Sequence, residues 1–154
     1  MNLSDFIDFD SIRLDLSVGN KRGLLNQMAQ IAGQRLGIDP ARIADSIAER
    51  ERIGSTGFGG GVALPHGKLA EVDRVFGFVA RLAQPVDYRA IDGEKVDMVF
   101  MLLSPPAAGA EHLKALAAVS RLVRHGATIE KLRGARSRDA LAAVLIGADE
   151  RDAA

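Results

Sequence analysis

One short segment of the chain, residues 49–68, brings together residue types that can bind an anion and react with it. Glycine-rich backbone can present several N–H groups to one oxyanion, because glycine adopts conformations that other residues avoid. The hydroxyls of Ser55 and Thr56 are further donors, and the guanidinium of Arg50 is a planar cation suited to phosphate. The imidazole of His66 can act as a base, a ligand or a nucleophile near neutral pH. An anion cradle beside a nucleophilic nitrogen suggests a phosphohistidine.

The composition excludes several other kinds of site. The 154 residues include three histidines and no cysteine, which removes disulfides, thiolate metal sites and a thiol nucleophile. We therefore predict no metal site. Twenty basic residues balance 20 acidic ones, so no global charge attracts nucleic acid or anionic lipid. The acidic N-terminus and the absence of long apolar runs predict a cytoplasmic protein without membrane insertion, and the length predicts a single domain over residues 1–154.

Two helices are predicted before the glycine-rich segment. The first covers residues 21–36, with Asn20 as its N-cap and Gly37 as its C-terminal stop. The second begins at Asp39-Pro40, because aspartate is a good N-cap and proline fits the first turn, and it runs to about residue 52.

Arg50 lies on the apolar face of this second predicted helix. Ile43, Ile47 and Arg50 follow one another at spacings of four and three, so they share one side. Either the arginine has a partner there, or it is a surface residue at a frayed helix end. The spacing alone leaves both interpretations open.

The rest of the chain alternates between strand and helix patterns. Short strands are predicted at 11–16 and 62–64, and almost continuously apolar strands, buried on both faces, at 75–82 and 96–103. A helix is predicted over 111–124, followed by two shorter ones with N-caps at Thr128 and Ser137 and stops at Gly134 and Gly147. The predicted fold class is α/β, with a mixed sheet sandwiched by helices on both faces.

A long motif in the glycine-rich segment resembles that of a known family. Gly54-Ser-Thr-Gly, followed by Gly59-x-Gly-Val-Ala-Leu-Pro-His66-Gly, is similar to the active-site signature of the fructose/mannitol-type enzyme IIA of the phosphoenolpyruvate:sugar phosphotransferase system. The flanking Arg-Glu-Arg-Ile and Gly-Lys-Leu are most similar to the nitrogen-regulatory branch of that family. Residues 90–105 and 111–114 match later blocks, so the resemblance extends over essentially the whole chain.

The resemblance implies a mannitol/fructose enzyme IIA-like fold and a role for each matched residue. His66 takes the place of the phosphorylated histidine, and His112 that of a second histidine that steadies the phosphoryl group. Arg50 matches the family's active-site arginine. The loop beside the site, which would cradle the phosphate, matches Gly54, Ser55 and Thr56.

The resemblance also implies a function. The protein would be a phosphotransferase component that accepts a phosphoryl group from a histidine phosphocarrier protein, and it would act mainly as a regulator of target proteins. It would need no cofactor, because its donor is itself a phosphohistidine. Two alternatives remain open: a component of a fructose/mannitol-type sugar uptake system, and a non-phosphorylated binding module of the same fold.

A basic stretch lies outside this motif. Residues 121–138 contain six basic residues and one acidic residue. The favoured interpretation is that they are solvated helix faces, and a patch for an acidic partner is the alternative. We predict no nucleic-acid binding, because no aromatic residue interleaves with these charges.

Overall fold

The computed structural model describes residues 1–153, which form five helices and a six-stranded sheet. The helices are α1 (Lys21–Leu36), α2 (Pro40–Arg52), α3 (Gly109–Arg124), α4 (Gly126–Gly134) and α5 (Arg138–Ala153). The strands are β1 (Arg13–Leu16), β2 (Gly57–Gly59), β3 (Val62–Ala63), β4 (His66–Lys68), β5 (Phe76–Val86) and β6 (Val96–Ser104). Within this described part, no helix combines the length and the apolar character that crossing a bilayer would require.

The sheet is mixed and has the order β1-β5-β6-β3-β2. Strand β5 is antiparallel to β6 and parallel to β1, whereas β3 and β4 both run parallel to β6 along its other side. Ala63 pairs with Val99, and His66 pairs with Leu102. Residues 62–68 therefore follow β6 in one register, which brings His66 near the C-terminal end of that strand.

The sheet separates two apolar cores. The side chains of β6 alternate between the two faces of the sheet, and those on both faces are buried. One face packs against α3, α4 and α5, and the other against α1 and α2. The first set of β6 residues is Met98, Phe100 and Leu102, and the second is Val99, Met101 and Leu103. The predicted fold class is confirmed: helices cover both faces of a mixed sheet.

The predicted boundaries of the first two helices are confirmed. The backbone N–H of Gly23 donates to Asn20 Oδ1 at 2.7 Å, so Asn20 is the N-cap of α1. Gly37 ends that helix in the left-handed conformation, with φ of 69°. Asp39 caps α2 by accepting a hydrogen bond from the N–H of Ala41 at 3.0 Å.

The predicted boundaries were less accurate in the last two helices. Helix α4 begins at Gly126, so Thr128 is not its N-cap. Thr128 is buried in the first turn, where its hydroxyl accepts a hydrogen bond from Arg151 Nη2 at 2.8 Å. The Ser137 cap is confirmed, because Ser137 Oγ accepts from the N–H of Ala140 at 3.0 Å.

Helix α5 does not stop at Gly147 but continues to Ala153. Leu145 and Ala148, on either side of this glycine, are both buried in the core. Packing of the apolar face keeps the backbone helical through a residue whose intrinsic preference is to leave the helix.

Candidate functional site

A cavity of about 750 Å³ opens between the end of α2, strand β4 and the first turn of α3. Arg50, His66 and His112 all line it, although 62 positions separate the first from the last. We call it the histidine cavity. Ile53 and Leu113 also line it, and both are exposed apolar side chains, 81 % and 66 % accessible. The cavity therefore combines cationic and imidazole groups with an apolar rim.

His66 is held in one tautomer by the backbone. Its Nδ1 lies 2.8 Å from the carbonyl oxygen of Leu64, which can only accept a hydrogen bond. Nδ1 therefore carries the proton, and Nε2 presents its lone pair. The Nε–H of Arg50 donates to this Nε2 at 3.2 Å. Of the two interpretations of Arg50, the structure supports the one in which it has a partner.

The environment keeps the His66 imidazole neutral. Burial lowers the pKa of His66, and the positive charge of Arg50 lowers it further. These effects outweigh the hydrogen bond to Leu64 and the attraction of Glu51, which act in the opposite direction. An imidazole whose pKa lies below the ordinary 6.5 is unprotonated on Nε2 at neutral pH, which is the form that can act as a nucleophile.

His112 faces His66 from the first turn of α3. The two ring centroids are 5.5 Å apart, and the ring planes are tilted by 53°. His112 is 6 % exposed, and its Nδ1 lies 2.6 Å from Ser104 Oγ. Burial, together with the charges of His66 and Lys68, lowers the pKa of His112 to about 4. His112 is therefore also neutral at pH 7.

The loop after α2 directs its hydroxyl groups away from these histidines. Gly54 contributes its carbonyl oxygen, which accepts a hydrogen bond from Arg50 Nη1 at 2.8 Å. Ser55 Oγ donates to the carbonyl oxygen of Tyr88 at 3.3 Å, and the Thr56 hydroxyl donates to Glu51. The structure thus joins Gly54 to the site through Arg50, while Ser55 and Thr56 bind a neighbouring group of residues.

That neighbouring group, which we call the carboxylate cluster, consists of Glu51, Lys21, Thr56 and Tyr88. The Glu51 carboxylate accepts hydrogen bonds from Lys21 Nζ at 2.8 Å and from the Tyr88 hydroxyl at 2.9 Å, in addition to that from Thr56. Lys21 Nζ also lies 4.3 Å from the centre of the Tyr88 ring. Burial raises the pKa of Glu51, but these hydrogen bonds outweigh burial and leave that pKa below its ordinary value.

The sequence analysis missed this cluster, although a signal was present. An acidic residue in the last turn of a helix faces the negative end of the helix dipole, so Glu51 needs compensating partners. Tyr88 is the only tyrosine of the chain, and it is completely buried. A buried phenol requires a hydrogen-bond partner, which the Glu51 carboxylate provides.

A glycine lets α2 approach β4 closely enough to build the site. A Cβ at Gly67 would overlap the side chain of Ser46 on α2. Ser46 Oγ donates to the carbonyl oxygen of Lys68 at 2.9 Å, which fixes the contact between the helix and the strand. Arg50 lies about one helical turn beyond Ser46, on the same side of α2.

Two of the six basic residues in the stretch 121–138 are tied into the fold. Arg133 donates to Asp97 Oδ2 at 3.0 Å and to the carbonyl oxygen of Gly60 at 2.7 Å. Arg138 Nη2 donates to the carbonyl oxygen of Asp10 at 2.6 Å. These two arginines therefore make internal contacts and do not add to a free cationic surface.

Comparison with known proteins identifies the class to which this fold and site belong. The family model described as "Phosphoenolpyruvate-dependent sugar phosphotransferase system, EIIA 2" matches residues 5–147. The chain therefore belongs to the type-2 EIIA family and is a phosphotransfer component of that system. Its relatives include nitrogen regulatory proteins and sugar-specific EIIA components.

Three of these relatives illustrate the range. A nitrogen regulatory protein of Bradyrhizobium diazoefficiens is 40 % identical over 145 residues, which cover 94 % of this chain and 95 % of the relative. The crystal structure of the nitrogen regulatory protein IIA-Ntr from Neisseria meningitidis has a TM-score of 0.88 at 31 % identity, covering 93 % of this chain and 98 % of that one. A fructose-specific EIIA component of Haloferax volcanii is 32 % identical over 145 residues, 94 % of each protein.

Proposed function

We propose that the protein accepts a phosphoryl group on Nε2 of His66 from the phosphohistidine of a histidine phosphocarrier protein. The observation that carries this proposal is the hydrogen bond between His66 Nδ1 and the Leu64 carbonyl oxygen. It keeps the proton on Nδ1 and leaves the Nε2 lone pair facing Arg50. A neutral imidazole with a fixed tautomer is a nucleophile that is ready to react.

The transfer breaks the P–N bond of the donor and forms a new one to His66 Nε2. The donor imidazole recovers its lone pair, and the proton of His66 remains on Nδ1, hydrogen-bonded to the Leu64 carbonyl oxygen. Because the transition state is loose, with negative charge on the phosphoryl oxygens, catalysis consists of positioning and electrostatic stabilisation. We assign that stabilisation to the Arg50 guanidinium and the His112 imidazole, which flank Nε2 in the histidine cavity.

The loop at 54–56 contributes indirectly in this proposal. Arg50 donates to both His66 Nε2 and the Gly54 carbonyl, so the guanidinium stays anchored to the loop when it turns towards a phosphoryl oxygen. Ser55 and Thr56 support the loop through their bonds to Tyr88 and Glu51. Their proposed role is to hold the loop and, through Gly54, to position Arg50.

The test is phosphorylation in a purified system. The protein is incubated with phosphoenolpyruvate, enzyme I and a histidine phosphocarrier protein, and its intact mass is measured. We expect a gain of one phosphate that is labile to acid and absent in His66→Gln. His125→Gln, at a histidine outside the cavity, is the matched control and should behave as wild type. No mass gain in the wild-type protein would defeat the proposal and leave a non-phosphorylated binding module.

We further propose that phosphorylation serves mainly regulation, with the state of His66 deciding which target proteins are bound. The 40 % identity with a nitrogen regulatory protein over almost the whole of both chains supports this role. The fructose-specific relative, at 32 % identity over a similar length, supports a role in sugar uptake as the second candidate. Labelled phosphate followed from phosphoenolpyruvate in membranes separates the two: robust transfer to fructose would favour uptake, and retention on the protein would favour regulation.

A further inference from the structure

The second histidine of the cavity has a buried hydroxyl as its partner. Ser104, the last residue of β6, is completely buried, and its Oγ lies 2.6 Å from Nδ1 of His112. Nε2 is the second nitrogen of the His112 ring, the one that does not contact Ser104. The His112 ring lines the cavity opposite His66. Which of the two ring nitrogens carries the proton decides what His112 presents to an anion.

The hydrogen-bonding capacity of Ser104 determines which nitrogen this is. A serine hydroxyl has one hydrogen to donate, and among residues 1–153 the structure gives this hydroxyl one partner, His112 Nδ1. If Nδ1 carried the imidazole proton, the buried hydroxyl hydrogen would have no acceptor. If the hydroxyl donates to Nδ1, both groups are satisfied, and the imidazole proton must be on Nε2.

We propose that Ser104 is a positioning residue that fixes His112 in the Nε2–H tautomer, so that His112 offers a hydrogen-bond donor to the phosphoryl group on His66. In the opposite tautomer, an Nε2 lone pair would face the phosphoryl oxygens and repel them. The low pKa of His112 fits this role, because a neutral ring needs the correct tautomer in order to donate. The inference rests on the proposed function for its consequence, but the tautomer itself exists without phosphorylation.

The two cavity histidines are then held in opposite tautomers. His66 has its proton on Nδ1, which donates a hydrogen bond to the Leu64 carbonyl oxygen, and its lone pair on Nε2. His112 has its lone pair on Nδ1, where the Ser104 hydroxyl donates to it, and its proton on Nε2. One ring therefore presents a nucleophile and the other presents a donor, which is the combination that transfer to His66 requires.

Nitrogen-15 NMR of the histidine side chains in the unphosphorylated full chain tests the tautomer directly. The two-bond correlation pattern distinguishes Nε2–H from Nδ1–H, and His66→Gln and His125→Gln assign the signals. At pH 7 we expect Nδ1–H for His66 and Nε2–H for His112. An Nδ1–H pattern for His112 would overturn the inference, whether or not the protein is phosphorylated on His66.

The Ser104→Ala variant tests the consequence. We expect its His112 signals to show mixed tautomers or a displaced ring, and its phosphorylation rate to fall roughly three- to tenfold, the effect of one hydrogen bond. The KM for the donor protein should not change, because Ser104 is buried. Ser104→Thr, which keeps the hydroxyl, should recover both the spectrum and the rate.

These measurements separate the inference from the function on which it rests. A wild-type rate in a folded Ser104→Ala variant would overturn the positioning role even if His66 is the phosphorylated residue. Conversely, phosphorylation that persists in His66→Gln would overturn the proposed function and leave the His112 tautomer measurement unaffected.

Discussion

Arg50 and Glu51 are neighbours at the end of α2, yet their side chains enter two different regions. In one region the polar groups border open space, and in the other they are enclosed by hydrogen-bond partners. In the histidine cavity, Arg50 contacts His66 Nε2 beside open space. In the carboxylate cluster, Glu51 is surrounded by donors that occupy its oxygens. The first arrangement leaves groups available to an incoming anion, and the second leaves none. The difference teaches that a site for an anion needs polar groups that border open space, and that a closed network of hydrogen bonds can lie directly beside it.

Replacing Arg50 should have the largest effect, and it should fall on transfer. In Arg50→Ala the phosphoryl oxygens lose their main cationic donor, and we expect the phosphorylation rate to fall roughly 10²-fold or more. Stability should change by less than about 1 kcal/mol, because the site is partly open to water. Rapid-quench phosphorylation and urea unfolding measure the two effects. Arg52→Ala, on an exposed arginine of the same helix, is the control, and a wild-type rate in Arg50→Ala would remove Arg50 from the site.

Replacing Glu51 should reverse this pattern. Glu51→Gln leaves the ammonium of Lys21 without its anionic partner in a mostly buried place, so we expect the free energy of unfolding to drop by about 2–3 kcal/mol. The folded fraction should still transfer phosphate, at a rate reduced less than tenfold. Glu49→Gln, at an exposed carboxylate on the same helix, should cost less than about 0.5 kcal/mol. If Glu51→Gln abolished transfer without loss of stability, the two regions would not differ as described.

The histidine cavity and the carboxylate cluster should lose their contributions to stability in different pH ranges. The folded pKa of His66 is below the ordinary 6.5, and that of His112 is about 4. Between pH 6.5 and 4 the unfolded chain therefore binds more protons, so stability falls as the pH is lowered, by about 3 kcal/mol for the His112 shift. The pKa of Glu51 is also lowered, so its contribution is present above its ordinary value of 4.5 and is lost below it.

Urea unfolding at a series of pH values checks this order. His112→Gln should flatten the curve mainly between pH 6.5 and 4, whereas Glu51→Gln should flatten only the part below about pH 4.5. A wild-type stability that stays constant between pH 6.5 and 4.5 would contradict the assignment of buried, neutral histidines to the cavity.

The smallest expected effect concerns the glycine that brings the helix to the strand. In Gly67→Ala the new methyl group overlaps Ser46, so α2 must shift, and we expect a loss of about 1–2 kcal/mol in stability. Because the same helix carries Arg50, transfer should slow more than this loss explains. Gly147→Ala is the matched control: its Cβ meets open space within α5, and alanine should stabilise the helix by about 0.5–1 kcal/mol. Normal transfer in Gly67→Ala would show that the close approach does not position Arg50.

The sequence predicted the elements whose determinants are local. The caps at Asn20, Gly37 and Asp39 define helix ends through bonds within a few residues, and each is present in the structure. The strands β2 and β4 were not predicted, because each is only three residues long and contains glycine, and only pairing across the sheet defines them. Gly147 was misinterpreted for a related reason: contacts distant in sequence keep α5 helical.

The candidate site divides in the same way. Arg50 could be singled out because its spacing placed it on an apolar face, and His66 because it followed a glycine-rich run. Ser104 gave no such signal, because its importance comes from what the fold places beside it. The assignment of His112 to the site depended on family resemblance. The 5.5 Å distance between the ring centroids of His112 and His66 results from tertiary structure.

The interruption between β3 and β4 has a consequence for how mutations can damage the site. At Leu64-Pro65 the chain leaves the regular ladder, and the Leu64 carbonyl becomes the partner of His66. A backbone carbonyl is present whatever side chain occupies position 64, so no single substitution there deletes the acceptor. The Ser104 hydroxyl, by contrast, disappears with one side chain. A single substitution at position 64 therefore leaves the acceptor that orients the proposed nucleophile His66 in place. A single substitution at position 104 can remove the hydroxyl that orients the proposed donor His112.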